Sequence, residues 1–327
     1  MKPFWKEVTL AVAMGFVVPA GLLGIAVRFV DQPKAEIVIE EKDPVATVQE
    51  TQNDAVHRKI TVLTGETAEE MELEEYLTGV VLAEMPVSFE LEAQKAQAVV
   101  ARTFTLRSEM SGKHENAAVC TDSDCCQAYI ATEDYLKEGG TQEGIDRIHS
   151  AVEATAGMVL TYEDALIEAT YFSCSGGSTE DAVAVWGTDV PYLRATDSPG
   201  EENAVHYTDT VTFTAEEFSD ALDLDLQGAP EAWLGPVTYT AGGGVNTMMI
   251  GGVVFKGTTL RKALDLRSTA FTMTAGENTI TVTTRGYGHR VGMSQYGADA
   301  MAVAGSSYEE ILTHYYQGTT LTKWTEE

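Results

Sequence analysis

The chain opens on one unbroken apolar block. Val8 to Val27, VTLAVAMGFVVPAGLLGIAV, carries no charge, and about 20 residues at 1.5 Å rise match the roughly 30 Å of a hydrocarbon core. The block predicts a transmembrane helix, kinked at Pro19, which spanning helices tolerate. A secretory signal peptide fits less well, since its apolar region is shorter and ends in a small-residue cleavage site. Lys2 and Lys6 before the block are balanced by Arg28 and Lys34 after it. Basic residues therefore leave the orientation open, and the short leading tail favours a cytoplasmic N-terminus with the rest exported. Residues 31–58 are acidic and polar with two prolines, the composition of an extended stalk. The expected organisation is 1–30 tail and span, 31–58 stalk, and 59–327 a folded ectodomain.

Within the ectodomain the apolar period changes to that of a helix. ELEEYLTGVVLAEMP puts Leu73, Tyr76, Leu77, Val80 and Val81 on one face, and Glu84 continues that face. Glu70, Glu72, Glu74 and Glu75 fall early in the same stretch, where solvated carboxylates complement the helix dipole. Pro86 disfavours helical geometry at Met85, so Glu84 belongs to the last turn. Partial burial and the negative dipole end would both raise its pKa, giving a carboxyl suited to general acid catalysis. A structural glutamate paired with a lysine or arginine fits the same pattern, and periodicity does not choose between them. A second helix follows through LEAQKAQAVVARTFTLRSEM, with Ser88 as its expected N-cap and Glu90 and Glu92 near its start. Lys95 and Arg102 are seven residues apart and project from one side, about 10 Å apart along the axis. They suit either ligand carboxylates or acids of the protein itself. Strand-like runs at Ile60–Leu63, Met158–Tyr162, Ile167–Phe172 and Thr279–Thr284 alternate with helical stretches, predicting an α+β ectodomain with a substrate cleft.

Charge narrows the partners. Against 21 Lys plus Arg stand 50 Asp plus Glu, a net −29 over 327 residues. Such a chain repels phosphate backbones, which argues against nucleic acid. Cys120, Cys125 and Cys126 lie close together with His114 just upstream, an inventory of four N and S donors suited to tetrahedral zinc. A disulfide, including one to Cys174, satisfies the same count. The remaining histidines, His57, His149, His206 and His314, have no ligand-like neighbours in sequence. G-Y-G-H-R-V-G lacks the order of a dinucleotide fingerprint.

Three blocks together resemble the stage II sporulation protein D family, the peptidoglycan lytic transglycosylases of endospore formers. They are EYLTGVVLAEMPVSFELEAQKAQAVVARTF, YFSCSGGSTED at Tyr171–Asp181 and GYGHRVGMSQYGA at Gly286–Ala298, within a resemblance running through most of Ile60 to Trp324. The third block departs from the family at Arg290, where glycine is more common, which puts the loop geometry in question. The resemblance implies a glycan strand lyase whose acid is Glu84, with Lys95 and Arg102 lining the same region. It also implies peptidoglycan glycan strands stripped of stem peptides as substrate and 1,6-anhydromuramyl ends as product. Further expectations are a role in engulfment, action beside the amidase-endopeptidase sporulation protein P and membrane protein M, and a place in the mother-cell engulfing membrane. A non-catalytic glycan-binding amidase enhancer is the alternative that relatives of the family suggest. Some clostridial members carry zinc at this loop, which favours His114, Cys120, Cys125 and Cys126 as ligands of a structural ion. The glycine-rich blocks are expected to form cleft walls, with Tyr171, Ser175, His289, Ser294 and Gln295 facing sugar and Tyr296 as a stacking platform. The lactyl carboxylate of muramic acid is assigned to Lys95 and Arg102.

Overall fold

The computed structural model describes residues 58–325. The expected span at 8–27 and nearly all of the stalk lie outside that range. Among the described residues no helix is long and apolar enough to cross a membrane. The described part is mixed α and β.

β1 (Lys59–Thr64) turns back through Gly65 (φ 64°) into β2 (Thr67–Glu72), its antiparallel neighbour. α1 (Leu73–Glu84) follows at once, and Leu73, Tyr76, Leu77, Val80 and Val81 are all buried, as their spacing predicts. The helix stops at Glu84 because Met85, held by Pro86, is extended (φ −130°, ψ 133°). α2 (Leu91–Ser111) is the central helix and ends at Gly112 in the left-handed conformation. Its N-cap is Glu90, not Ser88. The orphan Glu90 N–H is satisfied from elsewhere in the fold, by Asp299 Oδ1 at 2.7 Å.

β3 (Val119–Cys120) pairs parallel to β1, placing the cysteine-bearing segment beside the first hairpin. α3 (Thr132–Lys137) and α4 (Gln142–Ala154) follow, α4 capped by Thr141 Oγ1, which accepts from the Gly144 N–H at 3.1 Å. β4 (Met158–Tyr162) and β5 (Ala165–Leu166) form a hairpin. The run Ile167–Phe172 is not one strand. The Ile167 N–H goes to the Leu160 carbonyl and the Glu168 N–H to the Tyr192 hydroxyl, so only β6 (Tyr171–Phe172) is free to pair, in parallel with residues 293–294.

After α5 (Ala182–Trp186) the chain builds a second core. β7 (Thr208–Thr214), α6 (Ala215–Ala221), β8 (Leu234–Tyr239), β9 (Val245–Ile250), β10 (Val253–Lys256), α7 (Gly257–Ala263), β11 (Phe271–Ala275) and β12 (Thr279–Arg285) make two antiparallel sheets, ordered β10-β9-β8 and β11-β12-β7. They enclose Phe218, Trp233, Ile250, Leu260, Ile280 and Val282. β13 (Met293–Ser294), α8 (Gln295–Val303), α9 (Tyr308–Tyr315) and β14 (Thr320–Lys323) return to the first core, where β14 pairs with β4.

Arg290 joins the two cores. Its backbone sits at φ 68°, the left-handed region that a glycine adopts without strain. Its buried guanidinium donates to the Ser175, Ser178 and Gly242 carbonyls (2.7 Å each) and to Glu180 Oε1 (3.0 Å). Left-handed strain costs about 1–2 kcal/mol. Several charge-assisted bonds, about 1.5–3 kcal/mol each, offset it. Gly242 lies in the turn between β8 and β9, so these bonds tie the second core to the Ser175–Glu180 loop.

Candidate active site

Glu84 stands at the end of α1 with its carboxyl half-buried in a cavity of about 380 Å³. Tyr171 from β6, His289 and Tyr287 from the loop before β13, Gln295 from the start of α8, and Cys126 line the same cavity. Among the described residues lining it, Glu84 is the one carboxylate. Burial pushes its pKa above the ordinary value of 4.5, and the Ala128 N–H, donating to Oε1 at 2.8 Å, moderates the shift together with the nearby Tyr171 and Gln295 side chains. The Tyr171 hydroxyl donates to Gln127 Oε1 at 3.3 Å, and Gln127 Nε2 in turn donates to Thr105 of α2 at 3.1 Å. Gln295 is buried with its amide beside the Glu84 carboxyl, and its Nε2 makes no well-formed hydrogen bond of its own, so it is placed to donate to a ligand oxygen next to Glu84.

His289 is held as a neutral imidazole. Burial, with the charge of Arg261 adding to it, lowers its pKa to about 4. Nδ1 accepts from the Val291 N–H at 3.1 Å, so the remaining proton resides on Nε2. Its ring packs against Phe172 and the half-exposed Trp186, with centroids 5.5 and 5.4 Å away. The site thus offers one protonatable carboxyl among neutral donors, an arrangement suited to proton transfer on an uncharged polar group.

The other expected contacts lie elsewhere. Arg102 is fully buried in a bidentate pair with Glu74, Nε to Oε1 at 3.0 Å and Nη2 to Oε2 at 2.6 Å, and also donates to the Met158 and Val152 carbonyls. It does not line the cavity, and Glu74 is not the solvated carboxylate that its place in sequence suggested. Lys95 pairs with Glu92 at 2.6 Å and lies over the Tyr308 ring. In both cases a protein acid takes the cation. Tyr296 packs edge-on against Phe89 and does not line this cavity. Ser175 and Ser294 are buried as well, and both donate to Glu201. Glu201 also accepts from the Ser175 and Gly176 N–H groups and from Ser198. This buried carboxylate binds the two glycine-rich blocks to each other, and Ser294 additionally caps α8 through the Gly297 N–H at 3.2 Å. Gln295 and Ser173 are positioned from that junction. Glu74, Glu201 and Tyr287 carry roles that sequence reasoning missed.

His114, Cys120, Cys125 and Cys126 converge, with their ligand atoms all within 4.8 Å of one another. His114 Nε2 is 3.2 Å from Cys126 Sγ and 3.9 Å from Cys125 Sγ. Tetrahedral zinc with ordinary Zn–S and Zn–N bonds would separate its donors by about 3.5–3.8 Å, so the four residues fit a tetrahedral thiolate-imidazole metal site. All four cysteines are free thiols, and Cys174 is buried outside the cluster beside Tyr287. The same loop reaches the cavity through Cys126 and, two residues on, supplies the Ala128 N–H to Glu84.

A sequence profile described as stage II sporulation protein matches residues 64–162. Proteins named stage II sporulation protein D from Bacillus subtilis (strain 168) and Bacillus amyloliquefaciens are each 41% identical, over 79% of this chain and 76% of their own. A Bacillus subtilis protein named amidase enhancer is 31% identical over 76% of this chain and 40% of its own length. Identity of that degree over that share of both chains shows that the chain belongs to the stage II sporulation protein D family.

Proposed function

We propose that the chain is a lytic transglycosylase that cuts peptide-stripped glycan strands of peptidoglycan during engulfment. The observation that carries this reading is Glu84, the one carboxylate among the described residues lining the cavity, with its pKa raised by burial. Hydrolytic glycosidases generally use two carboxyl groups across the scissile bond. Lytic cleavage needs one. The Glu84 proton passes to the bridging oxygen as the C1–O bond breaks, the sugar's own C6 hydroxyl oxygen bonds to C1, and the hydroxyl proton returns to Glu84. No water is consumed, and a 1,6-anhydromuramyl end results. Gln295 Nε2 and neutral His289 orient the sugar without adding charge. Zinc is the ion best suited to His114, Cys120, Cys125 and Cys126. Four protein ligands make the site closed, so its contribution is to fix the loop carrying Ala128.

The apolar segment 8–27 would anchor the enzyme in the mother-cell engulfing membrane with the ectodomain outside, beside sporulation protein P and membrane protein M. The second reading is a non-catalytic amidase enhancer, favoured by the relative of that name. Incubating peptide-free glycan strands with the wild type and with Glu84→Gln separates the two. Anhydromuramyl products from the wild type alone, with binding retained in the variant, support the enzyme. Equal amidase stimulation by both proteins, with no glycan cleavage, supports the enhancer.

A further inference from the structure

Since protein acids take Lys95 and Arg102, an acidic substrate must find its cation elsewhere. Two arginines of the second core stand at the rim of the Glu84 cavity. The Arg267 guanidinium lies over the ring of Tyr287, 5.0 Å from its centroid, and Tyr287 lines the cavity while 39% exposed. The backbone fixes this placement, because the Arg267 carbonyl accepts from the N–H of Gly288, another cavity-lining residue, at 3.0 Å. Asp209 accepts from Arg267 Nε at 2.7 Å and leaves both Nη groups for another acceptor. Arg261 is anchored next to it, Nε donating to the Leu266 carbonyl at 3.2 Å. In a chain of net charge −29, Arg261 forms an ion pair with no carboxylate among the described residues. Its field nonetheless reaches the cavity, where it helps keep His289 neutral.

We propose that Arg267 and Arg261 form a subsite for the carboxylate of an acidic sugar, held against Tyr287 next to the bond that Glu84 cleaves. The cavity is at the small end of ligand sites, so a polymeric strand must continue over its rim, where these groups lie. The arginines present charge-assisted donors there, and the exposed part of Tyr287 presents an apolar surface to a sugar ring. For the proposed substrate the carboxylate is the lactyl group of muramic acid. The subsite rests on the glycan reading above.

The test uses the full-length protein and two probes, peptide-free glycan strands and the same strands with the muramyl carboxyl reduced to an alcohol. Cleavage is measured with the wild type, and binding with Glu84→Gln so that turnover does not interfere. The native strands should be preferred about tenfold, equivalent to 1.4 kcal/mol. Arg267→Gln and Arg261→Gln should each diminish that preference by weakening the native strands and leaving the reduced ones unchanged, at an unchanged melting temperature. Arg267→Lys, which keeps the charge, should retain part of it. If the wild type treats both strands alike, or both glutamine variants keep the full preference, the subsite is wrong while the glycan reading stands. If neither strand is bound or cut, the glycan reading falls and the subsite with it.

Discussion

Replacing Glu74 with glutamine separates a structural Arg102 from a ligand-binding one. The variant keeps the shape but leaves the guanidinium, fully buried on α2, without its counter-charge, while the bonds to the Met158 and Val152 carbonyls remain. Breaking one side of a buried pair costs about 3–5 kcal/mol, because the other charge stays desolvated. At about 2–4 °C per kcal/mol for a domain of this order, the melting temperature should fall by roughly 6–20 °C. Replacing both partners, as Glu74→Leu with Arg102→Met, removes the stranded charge and should recover part of the loss. It cannot recover all, since two buried carbonyls lose their donor. Thermal unfolding followed by circular dichroism, with KM for peptide-free glycan measured below the transition, gives both readouts. A melting temperature lowered by less than about 2 °C, under 1 kcal/mol, combined with a raised KM would refute the structural assignment.

Glu84→Gln should abolish cleavage and leave glycan binding within a few-fold, checked by product analysis and equilibrium binding. Activity should fall as pH rises through the raised pKa of Glu84, with no limb at the ordinary histidine value of 6.5, because His289 is held at about 4. The same shift has a signature in stability. A carboxyl whose folded pKa lies above its unfolded one stabilises the protein at acid pH and loses that contribution as pH rises through the folded value. Glu84→Gln should therefore melt higher than the wild type at neutral pH, with the advantage shrinking on acidification. Lys95→Ala should leave kcat/KM within about twofold, since Lys95 is held by Glu92 and does not line the cavity. Metal analysis should find about one zinc per chain, and chelation should lower both the melting temperature and the activity. Metal-free protein of unchanged stability would count against the site.

Local rules made the first half of the site legible. The period of Leu73, Tyr76, Leu77, Val80 and Val81, interrupted by Pro86, located both α1 and the final-turn position of Glu84. Four N and S donors close in sequence identified the cluster now seen to converge. What stayed hidden depends on pairings over long separations. Glu74 looked like one of several acidic residues at a helix start, and only the crossing of α1 and α2 brings Arg102 to it. Glu201 carries no local pattern, yet it gathers donors from residues 175, 176, 198 and 294. Ser175 and Ser294 had the right residue types for sugar contacts but spend their hydroxyls on that carboxylate. Tyr287 and Tyr296 both sit in the same glycine-rich block, and packing against Phe89 removes the second from the cavity while the first remains on its rim.

The central claim is that one carboxyl hands over a proton and takes one back while the sugar attacks itself. Cleaving peptide-free glycan in water enriched with heavy oxygen, and analysing the new ends by mass spectrometry, tests it directly. The account predicts 1,6-anhydromuramyl ends without label from the wild type and no new ends from Glu84→Gln. Reducing ends carrying the label, or cleavage that survives in Glu84→Gln, would contradict it.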